Sequence, residues 1–255
     1  MVESPAVLIV EDEPVVLRVA GMALSAQGIS FAEATDVSSA LGLLEATSFE
    51  VVLSDLKLPG ASGFEILRQA EKITPPPQVI IISGYATIEN ALRSFELGAF
   101  DFVPKPFDVE ELTSVTERAL RFARRPVGEA SAAGERACLG RHSWAHLDAD
   151  GSATLGVAET VAGVMGEIEV IDSLEPGDHT VQGQYFCQLT AADGLTHRIW
   201  APLSGRVISQ NPDIAADLNL IQRAPFTEGW IARVIPSSLE KELPNLGQRH
   251  PSASS

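Results

Sequence analysis

Four carboxylates, a serine and a lysine in this 255-residue sequence each stand at the end of, or just beyond, a short apolar run. Glu11, Asp12 and Glu13 follow Ala6–Val10 (AVLIV), and Asp55 follows Val51–Ser54. Ser83 closes the run Val79–Ile82, and Lys105 lies just past Phe100–Val103. Clustered carboxylates repel one another unless a cation neutralises them. A hard divalent ion such as Mg²⁺ prefers oxygen ligands and keeps several waters, so it suits such a cluster. Lys105 adds a mobile positive charge fit for an anionic ligand or an acyl phosphate. Among these groups Asp55 is the natural nucleophile. A carboxylate can accept a phosphoryl group, with a cation and a lysine stabilising charge on the transferring oxygens. Ser83 can then hydrogen-bond a phosphoryl oxygen.

For these residues to meet, the runs must be neighbouring parallel strands, since ligands gather at the carboxyl ends of such strands. The intervening sequence fits. Wholly apolar runs are expected of strands buried on both faces. Between them, Pro14–Gln27 has helical spacing and stops at Gly28, and Asp36 can cap a helix running to Thr47. Ile29–Ala34 reads as a second strand. Ser62–Ile73 is helical and ends before Pro75, Pro76 and Pro77; Thr87–Leu97 closes at Gly98, and Val109–Arg124 completes a fifth helix. Strand and helix alternating five times imply an α/β doubly wound, five-stranded parallel sheet. Arg118, Arg121, Arg124 and Arg125 read as charge complementing the dipole at the end of the last helix.

The segments LIVEDEP, VVLSDLKLPG, VIIISGYAT and GAFDFVPKPF resemble, in order, the signatures of a bacterial response-regulator receiver domain over about Ala6–Arg124, most like receivers of the nitrogen-regulator type. The resemblance implies a flavodoxin-like fold, with Glu11 and Asp12 as an acidic metal-binding pair. It implies Asp55 as phosphoacceptor and the backbone carbonyl of Lys57 as a further metal ligand. Ser83 and Phe102 correspond to a switch pair, Lys105 to the family's lysine, and Lys105-Pro106 to a cis bond. The expected cycle begins with a sensor histidine kinase, or a small acyl phosphate, donating to Asp55. Ser83 is then drawn in and Phe102 turns inward. Such a protein is a phosphoacceptor supporting its own phosphotransfer and dephosphorylation, not a metabolic enzyme. Homodimerisation through the receiver is left open.

Pro126–Gly134 (PVGEASAAG) is small, polar and turn-prone, and reads as linker. The expected division is a receiver over 1–124, a linker over 125–137, a second domain over 138–244 and a flexible tail over 245–255. In the second domain, alternating runs such as Ala153–Val157, Gly166–Ile171 and Leu195–Trp200 are separated by Asp150-Gly151, Pro176-Gly177-Asp178 and Asp193-Gly194. Trp144, Trp200 and Trp230 are large anchors for a small β core. From His142 to Leu243, pieces including LEPGDHTVQGQ, APLSGRVISQNPDI and PFTEGWIARVIPSSLEKEL resemble the H protein of the glycine cleavage system, a lipoyl carrier. That implies an all-β or α+β barrel-sandwich hybrid. Counting back from APLSG, the family's lipoyl lysine falls at about Gly194. The lysines of this sequence are Lys57, Lys72, Lys105 and Lys241, none of them near that hairpin. Amide attachment of lipoate needs an exposed amine, so no lipoate is expected.

Other constellations read as structure. Cys138, His142 and His146 are spaced by fours, but a strand scatters them. DADGSATLGVAE starts like a calcium loop, yet has Ala153 where the loop's sharp turn needs glycine, so a hairpin is expected. Cys187 reads as core, and His179 and His197 have no visible acid–base partners. A formal net charge of −16 disfavours a nucleic-acid partner. No apolar run is long enough to span a bilayer, and the N-terminus has no basic region before its apolar stretch, as a secretory signal would. Two cysteines are too few for a disulfide framework, so the cytoplasm is expected. Three functions compete: a phosphorylation-controlled interaction module, a phosphorylation-regulated carrier or enzyme subunit tied to lipoyl or glycine-cleavage metabolism, and a transcription regulator. The absent lysine opposes the second. The acidic charge and the lack of a reading helix oppose the third. The first is the expectation, with an output partner of unknown identity.

Overall fold

A computed structural model describes residues 5–125 and 136–248. The chain divides into two compact units, Met1–Arg125 and Pro126–Ser255. The expected linker (Pro126–Gly134) and the end of the expected tail lie outside the described residues.

The first unit alternates β1 (Val7–Val10), α1 (Pro14–Ala26), β2 (Phe31–Ala34), α2 (Val37–Ala46), β3 (Val51–Asp55), α3 (Gly63–Ala70), β4 (Gln78–Ser83), α4 (Ile88–Glu96), β5 (Asp101–Pro104) and α5 (Val109–Ala123). The five strands form one sheet in the order β2-β1-β3-β4-β5, every pair parallel. The order reverses beside β1, which opens the crevice where such sheets bind ligands. β1, β3 and β4 are buried along their whole length. α1 packs beside α5 and α2 beside α3. Val7, Ile9, Leu53 and Ile80 from the sheet, with Phe100 just before β5, meet Leu24 and Leu112 from the helices in one core.

Local chemistry sets the ends. Asp36 caps α2 by accepting the Ser39 amide at 2.8 Å. Gly28 and Gly98 follow α1 and α4 with φ of 70° and 85°. α3 stops three residues before the expected Ile73. The Lys72 and Ile73 amides bond back only three residues, to Gln69 and Ala70, at 3.1 Å each. The prolines that follow discourage α geometry in the residue before them, so the last turn tightens instead of continuing. Arg118 is a correction. It is not terminal charge but is 1% exposed, paired with buried Asp101 and set 5.5 Å from the Phe100 ring centre. It lies three residues after buried Val115, on the apolar stripe of α5, and that periodicity was the signal for it. Arg124 fits the surface reading better, bonding Glu50 at 2.6 and 3.0 Å.

The second unit contains β6 (Ala137–Leu139), β7 (Ser143–Leu147), β8 (Ala153–Val157), β9 (Ile168–Ser173), β10 (His179–Thr180), β11 (Tyr185–Ala191), β12 (Thr196–Trp200), β13 (Gly205–Gln210), β14 (Trp230–Pro236) and β15 (Gly247–Gln248), with one-turn helices between some of them. A seven-stranded sheet runs β10-β13-β14-β8-β7-β6-β15, and a three-stranded sheet β9-β11-β12. All the pairs are antiparallel. Gly247 and Gln248, expected in the tail, pair with Cys138 and Ala137 as an edge strand. Trp144 is buried, and its indole N–H donates to the carbonyls of Val157 and Pro225 at 3.1 Å each. Its ring lies against Gly156, where an added Cβ would stand 2.3 Å from a ring carbon. Only glycine lets β8 pass so close to the indole.

Candidate functional site

The parallel register carries the chemical residues to one end of the sheet. Val10 pairs with Ser54, so Glu11 and Asp55 leave adjacent strands at the same level. Asp55 pairs with Ile82, which puts Ser83 one step beyond it on the next strand. Ser83 pairs with Pro104, so Lys105 follows on the strand after that. The Lys105-Pro106 peptide is cis.

Oxygen atoms of Glu11, Asp12 and Asp55 all lie within 4.8 Å of one another. Glu11 and Asp55 are buried and Asp12 is exposed, so a cation entering from solvent meets Asp12 first. Among the described residues no other group of acids, histidines and cysteines comes together in this way. Lys105 Nζ lies 2.7 Å from Glu11 Oε2 and 2.9 Å from Asp55 Oδ2. Burial raises the pKa of Glu11 above the usual carboxylate range, against the lowering effect of Lys105. For Lys105, burial works to lower the pKa, but its bonds to Glu11 and Asp55 outweigh this and leave it raised. Lys105 therefore stays charged at neutral pH.

The second Asp55 oxygen accepts the Lys57 amide at 3.1 Å. The Ser83 hydroxyl oxygen accepts the Tyr85 amide at 3.1 Å, leaving its own hydrogen to donate elsewhere. Phe102 is 1% exposed, its backbone paired with Ile81 of β4. The ring thus occupies an inner position in this structure. Two contacts had not been expected. Lys57, anticipated only through its carbonyl, donates its ammonium to the Tyr85 hydroxyl at 2.7 Å. That bond raises the lysine's pKa. Glu13, to which the resemblance gives no role, reaches Lys105 at 3.3 Å.

In the second unit Gly194 lies at the tip joining β11 and β12 with φ +81°. Its amide donates to the Ala191 carbonyl at 2.8 Å, and the Asp193 carboxylate accepts the Leu195 amide at 3.1 Å. The Ala192 amide donates to the Glu167 carbonyl at 2.8 Å, tying the tip to the segment before β9. The calcium-like loop is a hairpin between β7 and β8 whose acids are already engaged. Asp148 accepts from Thr154 at 2.8 Å, and Asp150 accepts from Ser152 at 2.6 Å. Arg233 pairs with both acids, at 3.5 and 3.0 Å. Cys138, His142 and His146 fall on β6, the turn after it and β7, and share no site.

Residues 7–117 match the family profile of the response regulator receiver domain, and residues 136–251 that of the glycine cleavage H-protein. The chain therefore joins a receiver domain to a glycine cleavage H-protein domain. Its receiver is of the NtrC and NtrX kind. The DNA-binding transcriptional regulator NtrC of Salmonella typhimurium is 32% identical over 114 residues, which are 45% of this chain and 24% of that protein. The chain thus spans about a quarter of that relative's length. The solved receiver domain of NtrX from Brucella abortus is 34% identical, covering 45% of this chain and 97% of its own, with a TM-score of 0.43. The glycine cleavage system H protein of Mycobacterium marinum is 21% identical, covering 41% of this chain and 85% of its own, with a TM-score of 0.38.

Proposed function

We propose that the chain is a two-component response regulator in which Asp55 accepts a phosphoryl group and the second domain passes the signal to a protein partner. The observation that carries this is the place of Asp55. It lies between the ammonium of Lys105 at 2.9 Å and the carboxylates of Glu11 and Asp12, with Ser83 ending the next strand. Three carboxylates within 4.8 Å suit a hard cation, so Glu11, Asp12, Asp55 and the Lys57 carbonyl would hold Mg²⁺. When bound, that ion neutralises charge on the transferring oxygens.

The chain's own residues do the rest. An Asp55 oxygen bonds to the phosphorus of a phosphohistidine on a sensor kinase. The P–N bond breaks, and its electron pair leaves with the imidazole. Lys105 turns its ammonium from Asp55 to a phosphoryl oxygen. Ser83 donates its free hydroxyl hydrogen to another, drawing the loop after β4 toward the site. Phe102, already inside, packs behind this strand and favours the drawn-in arrangement. A local charge change thereby biases a two-state surface.

The output domain lacks an amine at Gly194, so we assign it no lipoate and read it as an interaction module. The chain acts in the cytoplasm without nucleic acid or membrane, in keeping with its net charge of −16. We take 1–124 as the first domain, and extend the second from 138–244 to include the edge pairing of Ala137 and Cys138 with Gln248 and Gly247. Incubation with acetyl phosphate and Mg²⁺ should retard the protein on a phosphate-affinity gel. Asp55→Asn should abolish the shift, and an unchanged shift in that variant would overturn the assignment.

A further inference from the structure

We infer that Glu13 is a positioning residue, tethering Lys105 over Asp55 through its carboxylate; this rests on Asp55 being the phosphoacceptor. The first observation is how the helices begin. Asp36, Ser62, Thr87 and Asp108 each cap their helix, the side chain accepting an amide of the first turn. Glu13 is the N-cap of α1 and makes no such bond. Pro14 at the first helical position removes one amide that would need a cap, which lowers the cost of leaving the end open. A glutamate is also a poor cap, since the preferred residues are the shorter Ser, Thr, Asp and Asn.

The second observation is where the carboxylate goes instead. Glu13 Oε1 lies 3.3 Å from Lys105 Nζ, across the mouth of the pocket. Its own amide donates to Glu11 Oε1 at 3.2 Å, so one residue touches both Glu11 and Lys105. Lys105 is thus shared among Glu11, Asp55 and Glu13. Glu11 and Asp55 belong to the group that would hold a cation, and Glu13 does not. A cation on Glu11 and Asp55 weakens their pull on the ammonium. Glu13 remains as the carboxylate that keeps Lys105 beside the incoming phosphoryl oxygens.

The full chain tests this with Glu13→Gln and Glu13→Asp, using acetyl phosphate at saturating Mg²⁺. Glu13→Gln removes the charge. Glu13→Asp keeps the charge but is short and suited to capping, so it should turn to the α1 amides and release Lys105. Both variants should therefore be phosphorylated about two- to five-fold more slowly, the size expected of a largely exposed ion pair. The deficit should shrink as added salt brings the Debye length to a few ångströms. Glu13→Asp should also unfold at a higher temperature than the parent, and Mg²⁺ affinity by calorimetry should stay within about two-fold in both. Parent-like rates in both variants would overturn the tether. So would a faster Glu13→Gln beside a parent-like Glu13→Asp, which would make Glu13 a charge barrier to anionic donors. Either result leaves Asp55 untouched, whereas a gel shift surviving Asp55→Asn would remove the phosphoacceptor itself.

Discussion

Replacing Lys105 by methionine should make the stability of the first unit depend on a divalent cation. The lysine side chain is 12% exposed, and it faces Glu11 at 3% and Asp55 at 7%. Methionine keeps much of the stem and removes the charge. Two buried carboxylates then remain with oxygens within 4.8 Å. At that separation and an effective dielectric of about 20, their repulsion is about 3.5 kcal/mol. Removing one partner of a buried ion pair costs a similar amount, about 3–5 kcal/mol. We expect a loss of about 3 kcal/mol near pH 8 without metal. Burial already raises the Glu11 pKa, and losing Lys105 raises it further. A carboxyl whose folded pKa is raised binds its proton more readily in the native state. The penalty is therefore full above the folded pKa and fades as pH falls through it toward the unfolded value of about 4.3. Mg²⁺ should restore stability and bind about ten-fold more tightly than to the parent, because a cation no longer competes for Glu11. Urea unfolding by circular dichroism, at about pH 5 and about pH 8 and with and without Mg²⁺, measures this. Trp144, Trp200 and Trp230 all lie in the second unit, so their fluorescence is an internal control. Equal losses at both pH values, or no response to Mg²⁺, would refute the reasoning.

Asp101→Asn should destabilise the first unit by about 3–5 kcal/mol in urea, because it takes the counterion from an arginine that is 1% exposed. Replacing both Asp101 and Arg118 with apolar residues of similar volume should cost less than that single change. Gly194→Lys would place a side chain in open space but on a backbone with φ +81°. It should cost about 1 kcal/mol or more in thermal unfolding followed by tryptophan fluorescence. Intact mass after co-expression with a lipoate ligase should show no added lipoyl group.

The first unit was legible because its signals agree at every level. β1, β3 and β4 are wholly buried around apolar centres, and the acids, serine and lysine leave the sheet at one end because the ladders are parallel and in register. A strand end tells where a side chain starts, but not which partner a long side chain reaches. Glu13 and Lys105 are separated by 92 positions, and Lys57 and Tyr85 by 28. Whether those pairs form depends on helix capping and on the rotamers of flexible chains. The burial of Arg118 is hidden for a related reason. Arginine is rarely buried without a partner, and its partner Asp101 lies on another element.

At the hairpin of Gly194 the sequence and the structure each bear on whether a lipoyl arm could be carried. A carrier needs an amine at the tip and a backbone that can display it. The sequence reveals the missing amine. The structure adds that the tip backbone is left-handed at Gly194, that Asp193 closes the turn, and that Ala192 is bonded to Glu167. Restoring the amine alone would therefore put a lysine where L side chains are strained, on a loop held to its neighbour. The tip is closed by its own backbone and by Asp193, the geometry that an Asp-Gly hairpin adopts.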